Sequence, residues 1–428
     1  MRVSRWLSFI PLFFLLQVTF CGQQELDTAL LTIEALDGDG AHLSEARFVV
    51  DGAPLDLAPP FDLELDPWVS HRVDVVPLEG WVFLPSYFNV VLEPGSIRTV
   101  TFQFNSLIGV LNVGAHDLWD VSLEGPEVYI DGVLQDVTAP GRIELPAGIL
   151  FQVSLAWEGW EFDPDHFEIE LGAESEEGAD FLGIPTARVV VAEDFSNIDC
   201  NGCPEAEEAV WEAVGEAAGE MLPLSFHLFW PSSQDPLYTY TREVNNERWF
   251  YYGGYAFGTL PNVFVDGSVV TDPQDSAIIL EEADERFQLT RKVVLKVESE
   301  RDGGEVTVRA DGYVVSDLSG LDLRIFYGLA EANVHLENGG SNGQTHFQNV
   351  VRHMNGEDGE FPPYSDPNGQ SDLGEPFTTS QHSYFTFSTS FAPDFEIVDA
   401  EQLFAFVFVQ AEGSLEILDA AQETHGGP

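Results

Sequence analysis

Cys200 and Cys203, in Cys200-Asn201-Gly202-Cys203-Pro204, are the residues of this 428-residue chain whose types and spacing best suit chemistry. An apolar run, Arg188-Val189-Val190-Val191-Ala192, precedes them and reads as a strand. The acidic stretch from Cys203 to about Ala218 reads as a helix. Two sulfurs at this spacing can close a disulfide across the first helical turn. Backbone N–H groups and the helix dipole at such an N-terminus favour a thiolate. In dithiol chemistry of this kind the first thiol is the exposed attacker and the second resolves the mixed disulfide. Cys200 is thus the candidate attacker and Cys203 the candidate resolver. Pro204 suits a first turn, where a backbone N–H is dispensable. The chain has three cysteines, and the third is Cys21.

The surroundings temper that reading. Glu193, Asp194, Asp199, Glu205, Glu207 and Glu208 flank the motif in sequence. Carboxylates beside a thiol disfavour its ionisation. The expectation is a Cys200 less acidic than that of a strong oxidant. The alternative is a static disulfide that staples the start of the helix. Zinc needs more ligands than one Cys-x-x-Cys supplies. His227 lies in an apolar strand run and reads as a core histidine. His335, His346 and His353 lie in or beside a polar stretch, as exposed loop residues or, alternatively, as metal ligands. No GxSxG, HExxH or phosphate-loop motif is present. No cofactor is implied.

The elements around the motif run strand 188–192, the Cys203 helix, strand 224–229, a polar helix over about 235–252, a hairpin at 261–270 and a helix over 274–289. An Asp266-Gly267 turn suits the hairpin. This β-α-β-α-β-β-α order is that of thioredoxin folds. Pro261, after the second helix, stands where those folds place a cis-proline beside the cysteines, as part of the substrate groove. From about 291 the chain reads as strands again, with a polar, Gly/Asn/Pro-rich loop region at 336–382.

Residues 27–182 contain a duplication with a period of about 80 residues. Val50-Asp51-Gly52 recurs as Ile130-Asp131-Gly132, and Glu79-Gly80-Trp81 as Glu158-Gly159-Trp160. Short alternating runs predict two small β-sandwiches, with Trp81 and Trp160 as core anchors. These repeats resemble PEGA-type and carboxypeptidase-regulatory-type surface modules. Asp37-Gly38-Asp39-Gly40 lacks the ligands of a calcium loop and reads as a turn.

The chain carries 73 acidic and 17 basic residues, a net charge of −56. Such a charge repels nucleic acid and anionic membrane surfaces. Its spread along the chain reads as adaptation to high salt, with divalent-cation binding as the alternative. Arg2 and Arg5 followed by the apolar run Trp6 to Phe20 read as an export signal. Val18-Thr19-Phe20-Cys21 resembles a lipobox that would lipidate Cys21, although Phe20 is larger than the usual residue there.

Residues 188–418 resemble the family of roughly 28-kilodalton outer-membrane lipoproteins. The resemblance rests on Val191-Ala192-Glu193-Asp194-Phe195, the Cys200–Pro204 motif, His227, Tyr251-Tyr252-Gly253, Pro261 and Phe347-Gln348-Asn349-Val350-Val351-Arg352. It implies a thioredoxin-like domain fused to a β-sandwich, exported and lipid-anchored, without naming a reaction. The expected protein is a multidomain α+β chain. It has a signal at 1–21, β-sandwich repeats at 27–105 and 106–182, a thioredoxin-like α/β domain at 186–290 and a C-terminal β-sandwich at 291–420. The expected location is the cell envelope, as an outer-membrane lipoprotein or a periplasmic or secreted protein. The expected partners are exported proteins or cell-envelope components, engaged by thiol–disulfide exchange, with membrane contact only through a lipid anchor. A non-catalytic envelope interaction protein with a structural disulfide is the competing expectation.

Overall fold

The computed structural model describes residues 28–38, 40–78, 80–253, 258–356 and 373–423. The export signal and Cys21 lie outside them. Two compact units are present. One comprises the chain up to Gly114 with Glu127–Ser154 and His166–Asp180; the other comprises Ala115–Pro126, Leu155–Asp165 and everything from Phe181.

The duplication is written into the sheets. The first repeat has β1 (Ala29–Leu36), β2 (Phe48–Val50), β3 (Ala53–Leu55), β4 (Phe61–Leu65), β5 (Ser70–Val75), β6 (Trp81–Leu84), β7 (Tyr87–Val91) and β8 (Ile97–Ser106). They form two sheets, β4-β1-β8-β6 and β3-β2-β5-β7. The second repeat has β9 (Ile108–His116), β10 (Glu127–Ile130), β11 (Val133–Thr138), β12 (Gly141–Pro146), β13 (Leu150–Ala156), β14 (Trp160–Asp163), β15 (Phe167–Glu170) and β16 (Glu176–Pro185). Its sheets, β12-β9-β16-β14 and β11-β10-β13-β15, repeat the same order eight strands later. Period-2 burial explains each strand: β1 alternates buried and half-buried, and Leu31 and Ile33 join Phe48, Val73, Phe102 and Phe104 in the core.

The Asp-Gly pairs turn the corners of both repeats. Asp51 and Gly52 take φ of 50° and 80°, and Asp131 and Gly132 take 49° and 76°. Two successive positive φ values match the twist of a tight hairpin. Each aspartate also accepts a backbone N–H, from Arg72 and from Gln152, both at 2.8 Å. Trp81 meets Phe104 edge-on at the side of the first core. Trp160, half-buried like Trp81, lies over Gly183 beside Leu123 and Phe162 and stacks on Trp157 with ring centroids 5.4 Å apart. Asp37 forms a turn, accepting the Ala41 N–H at 2.8 Å.

From Phe181 the chain changes to mixed structure. It contains β17 (Val189–Ser196), α1 (Cys203–Glu216), β18 (Glu220–His227), α2 (Pro236–Tyr251), β19 (Asn262–Val265), β20 (Ser268–Val269) and α3 (Ser276–Phe287). After these come β21 (Val293–Asp302), β22 (Glu305–Val314), β23 (Leu323–His335), β24 (His346–Met354), β25 (Glu375–Phe377), β26 (Tyr384–Phe391), β27 (Leu403–Ala411) and β28 (Ile417–Gln422). One sheet runs β20-β19-β17-β18-β24-β23-β27-β28, with β25 paired to β23. β17 is parallel to β18 and antiparallel to β19. All eight residues of β17 are buried, as expected for a central strand covered on both faces.

The covering is specific to each face. Val190 and Ala192 pack under Ala209, Val210 and Ala213 of α1 and Ile279 and Ala283 of α3. Val191 and Phe195 join Val244 and Trp249 of α2 in a core that continues to Phe326, Phe406 and Phe408. The alternate residues of β23 and β27, Ile325, Tyr327, Ala405 and Val407, face Val293, Leu295, Val306 and Val308 of the second sheet, β21-β22-β26. The C-terminal strands therefore do form a sandwich. One of its two sheets is continuous with the strands of the cysteine-bearing segment, across the expected boundary at 290/291.

The polar stretch 336–382 differs from the expected loop region, because it contains β24 and β25. β24 pairs antiparallel with β23, including His335 with His346, and touches β18 at Ser225 and Val350. Its polar residues have buried partners: Asn349 Nδ2 donates to Pro223 O at 2.9 Å, and Arg352 Nε to Glu331 Oε2 at 2.7 Å. Polar sequence here marks polar burial. Among the described residues no helix is long and apolar enough to cross a membrane.

Candidate functional site

Cys200 and Cys203 form a disulfide at the start of α1, with Cα atoms 5.4 Å apart. The turn that carries them is held by local bonds. Cys200 N donates to Asn197 O at 3.0 Å, and Pro204 occupies the first turn of the helix. Asn197 is itself fixed, donating from Nδ2 to Leu228 O at 2.6 Å and Ser232 O at 2.9 Å.

Pro261 lies against this turn. A Cβ placed on Gly202 would sit 3.3 Å from Pro261 Cδ and 3.0 Å from Gln274 Nε2. Only glycine fits that approach without displacement. The Leu260–Pro261 bond is cis. Gln274, which leads into α3, donates to Gly202 O at 3.1 Å and to Glu205 Oε2 at 2.8 Å.

A second layer comes from far along the chain. The β23–β24 connection crosses the cysteine turn. Ser341 N donates to Asp199 Oδ1 at 2.7 Å, and Asn342 Nδ2 to Cys200 O at 3.1 Å. Gly340 packs directly on Ile198 O. Cys200 is only 5% exposed and Cys203 is fully buried. This departs from an exposed attacking thiol: the disulfide sits under a cover.

The six flanking carboxylates do not act as one group. Glu193 points away, onto Arg248 Nε at 2.6 Å, on the α2 side of the sheet. Asp199 is bound by the Ser341 N–H and by Ser232, which hold its carboxyl below the usual range. Glu205 accepts from Gln274, and Glu208 is exposed. Asp194 and Glu207 are instead buried on the α1 side of the sheet. Asp194 shares its β17 face with Val190 and Ala192, below α1. It is 3% exposed, and neither of its oxygens has a hydrogen-bond partner among the described residues. Burial, and then the charge of Glu207, push its carboxyl well above the ordinary range. Burial and the neighbouring Glu207 thus favour its protonated form.

His227, the register partner of Ser196 across β17 and β18, is fully buried. Its Nδ1 lies 2.7 Å from Asp235 Oδ2, while Nε2 has no partner among the described residues. Asp235 caps α2 through the N–H groups of Leu237 and Tyr238, and accepts Ile198 N at 3.1 Å. Burial opposes its ionisation, yet His227 and these N–H groups hold its carboxyl below the ordinary range. His335 and His346 lie tilted to each other with centroids 4.4 Å apart, whereas His353 lies against Tyr240 and Phe391. The three histidines are not gathered, and no group of three or more metal-ligating side chains occurs among the described residues.

Sequence reasoning counted Asp194 and Glu207 among flanking charges and missed their burial. The available signal was strand alternation, which puts Asp194 in register with Val190 and Ala192 inside an apolar run. Nothing local could have placed Ser341, Asn342 and Gln344 beside residues some 140 positions earlier.

No family model matches the chain. No curated protein matches it either. Among solved structures it is similar to HBP35 of Porphyromonas gingivalis, with 17% identity over 56% of this chain and 75% of that one, at a TM-score of 0.44. A protein of Agrobacterium tumefaciens matches with 18% identity over 56% of this chain and 95% of that one, at a TM-score of 0.37. A streptococcal ancillary pilin matches with 15% identity over 38% of this chain and 64% of that one, at a TM-score of 0.20. Likeness at this level carries no activity across to this chain.

Proposed function

We propose that this protein exchanges disulfides with other exported proteins through Cys200 and Cys203, on a thioredoxin-like domain. The observation that carries the reading is the Cys200–Cys203 disulfide at the start of α1 with Pro261 packed on Gly202. The order β20-β19-β17-β18, with α1 and α3 on one face and α2 on the other, supports the thioredoxin-like assignment. The buried acid Asp194 supports a working pair over an inert one, since a leaving thiolate needs a proton source in a dry site. In this reading Cys200 attacks a partner disulfide, Cys203 then displaces the partner, and Pro261 shapes the groove. The resemblance to the 28-kilodalton lipoprotein family, with anchoring through Cys21, belongs to the same proposal.

One observation favours a second reading. With Cys200 5% exposed beneath the β23–β24 connection, the disulfide suits a static staple in an envelope interaction protein. Insulin reduction by the full chain with dithiothreitol separates the two. Exchange chemistry gives turnover above the dithiothreitol background that Cys200→Ser abolishes while the variant stays folded. A staple gives wild-type turnover equal to background.

A further inference from the structure

His335 and His346 take no part in the cysteine chemistry proposed above. They are register partners across β23 and β24, with ring centroids 4.4 Å apart. The next two residues are bonded across the strands, Leu336 N donating to Thr345 O at 2.9 Å. Antiparallel pairs alternate, so the histidines form a non-hydrogen-bonded pair, the kind in which opposed Cα atoms approach to about 4.5 Å. Both side chains are exposed, whereas their strand neighbours Val334 and Phe347 are buried in one apolar cluster with Ile198 and Leu237. Packing fixes the backbone beneath the pair and leaves the rings open to solvent.

That spacing fits chelation of one metal ion. An imidazole that ligates through one nitrogen at about 2.0–2.1 Å holds its ring centre about 3.1 Å from the ion. Two such rings at neighbouring, right-angled positions on one ion have centres about 4.5 Å apart. The 4.4 Å between the two rings meets this with the strands where they are. Thr345 Oγ1 lies 3.0 Å from His346 Nδ1; accepting the Nδ1–H, it leaves Nε2 as the ligating nitrogen. Imidazole suits Cu2+, Ni2+ and Zn2+, whereas Ca2+ and Mg2+ take oxygen ligands. The net charge of −56 draws divalent cations to the surface as a whole, and the histidine pair discriminates among them.

We propose that His335 and His346 bind one divalent transition-metal ion, with water completing its shell, and that the ion clamps the root of the β23–β24 connection. Residues 336–345 leave the sheet at this pair and return to it there. They carry Ser341 and Asn342 onto the cysteine turn. An ion held from both strands joins the two ends of that segment. The site uses neither cysteine, so it stands whether or not the disulfide turns over.

Cu2+ is the probe, since it binds nitrogen ligands most tightly among the divalent first-row ions. The full chain carrying Cys21→Ser keeps the Cys200–Cys203 disulfide and has no free thiol to compete. In calorimetric titration at neutral pH, His335→Gln and His346→Gln should each weaken the tightest copper site by about 100-fold, because each removes the chelate. The double variant should bind no more weakly than either single one. Electron paramagnetic resonance of the one-equivalent complex should show two imidazole nitrogens on copper without these substitutions and at most one in each single variant. Both positions are exposed, which keeps the variants folded. Copper binding no tighter than in either single variant, or through a single imidazole, overturns the site. Hydrogen exchange over residues 336–345 should slow on adding copper only when both histidines are present. Exchange that copper leaves unchanged overturns the clamp.

Discussion

Ser341 donates its backbone N–H to Asp199 Oδ1 at 2.7 Å, tying the β23–β24 connection to the residue just before Cys200. The bond joins positions 142 residues apart in sequence. With Asn342 on Cys200 O, it holds the connection as a cover on the turn that carries the disulfide, where Cys200 is 5% exposed.

Loosening that cover should open the disulfide. Asp199→Ala removes the acceptor of the Ser341 N–H, and reduction by dithiothreitol should become several-fold faster. Quenched thiol counting over time measures it. An unchanged rate would show that access does not depend on this contact.

Asp194 gives a pH dependence with a definite sign. Its folded carboxyl titrates above its unfolded value, so the stability it contributes is present below about pH 4 and is lost as pH rises toward the folded pKa. Asp194→Asn should therefore be more stable than the wild type at pH 8, by about 1–3 kcal/mol. The difference should shrink toward pH 4. Urea unfolding at the two pH values checks this, and a constant difference would contradict it.

Arg248 should be the most damaging cation to remove. It is fully buried, donates to Glu193 at 2.6 Å and 2.9 Å and to Gln410 at 2.8 Å, and lies 4.6 Å from the Phe326 ring centroid. Arg248→Met leaves Glu193 charged and buried without its partner, costing about 3–5 kcal/mol. Lys292→Ala, at a partly exposed pair with Glu416, should cost under about 1 kcal/mol. Equal losses in denaturant unfolding would refute the contrast.

The net charge of −56 predicts a salt-dependent fold. At about 0.1 M salt, where the Debye length is about 10 Å, repulsion between neighbouring carboxylates is only partly screened. The unfolding temperature should climb steadily as sodium or potassium chloride rises toward about 2 M. A saturable heat on adding calcium at high sodium chloride would favour cation binding over general screening.

Much of the architecture was legible because it is local. Asp51-Gly52, Asp131-Gly132 and Asp266-Gly267 each form the tight turn that their residue types suit. Period-2 alternation marked β5 and β13, and the apolar run 188–192 marked β17. β24 was hidden because periodicity cannot distinguish a loop from a strand whose polar residues are buried against partners. Gln348, Asn349 and Arg352 find those partners on α1, in the segment of β18 and on β23.

By itself, the sequence determined that Cys200 and Cys203 close a ring at a helix start, since Cys-x-x-Cys spacing and Pro204 act within one turn. It also determined the repeated sandwiches, through a pattern that recurs about every 80 residues. Tertiary structure alone decided how reactive that ring can be. Burial pushes the Asp194 carboxyl above its ordinary range, because the cost of a charge depends on the solvent that the whole fold removes. The cover over Cys200 likewise exists only because β24 joins the sheet beside β18, bringing residues 340–344 onto the cysteine turn.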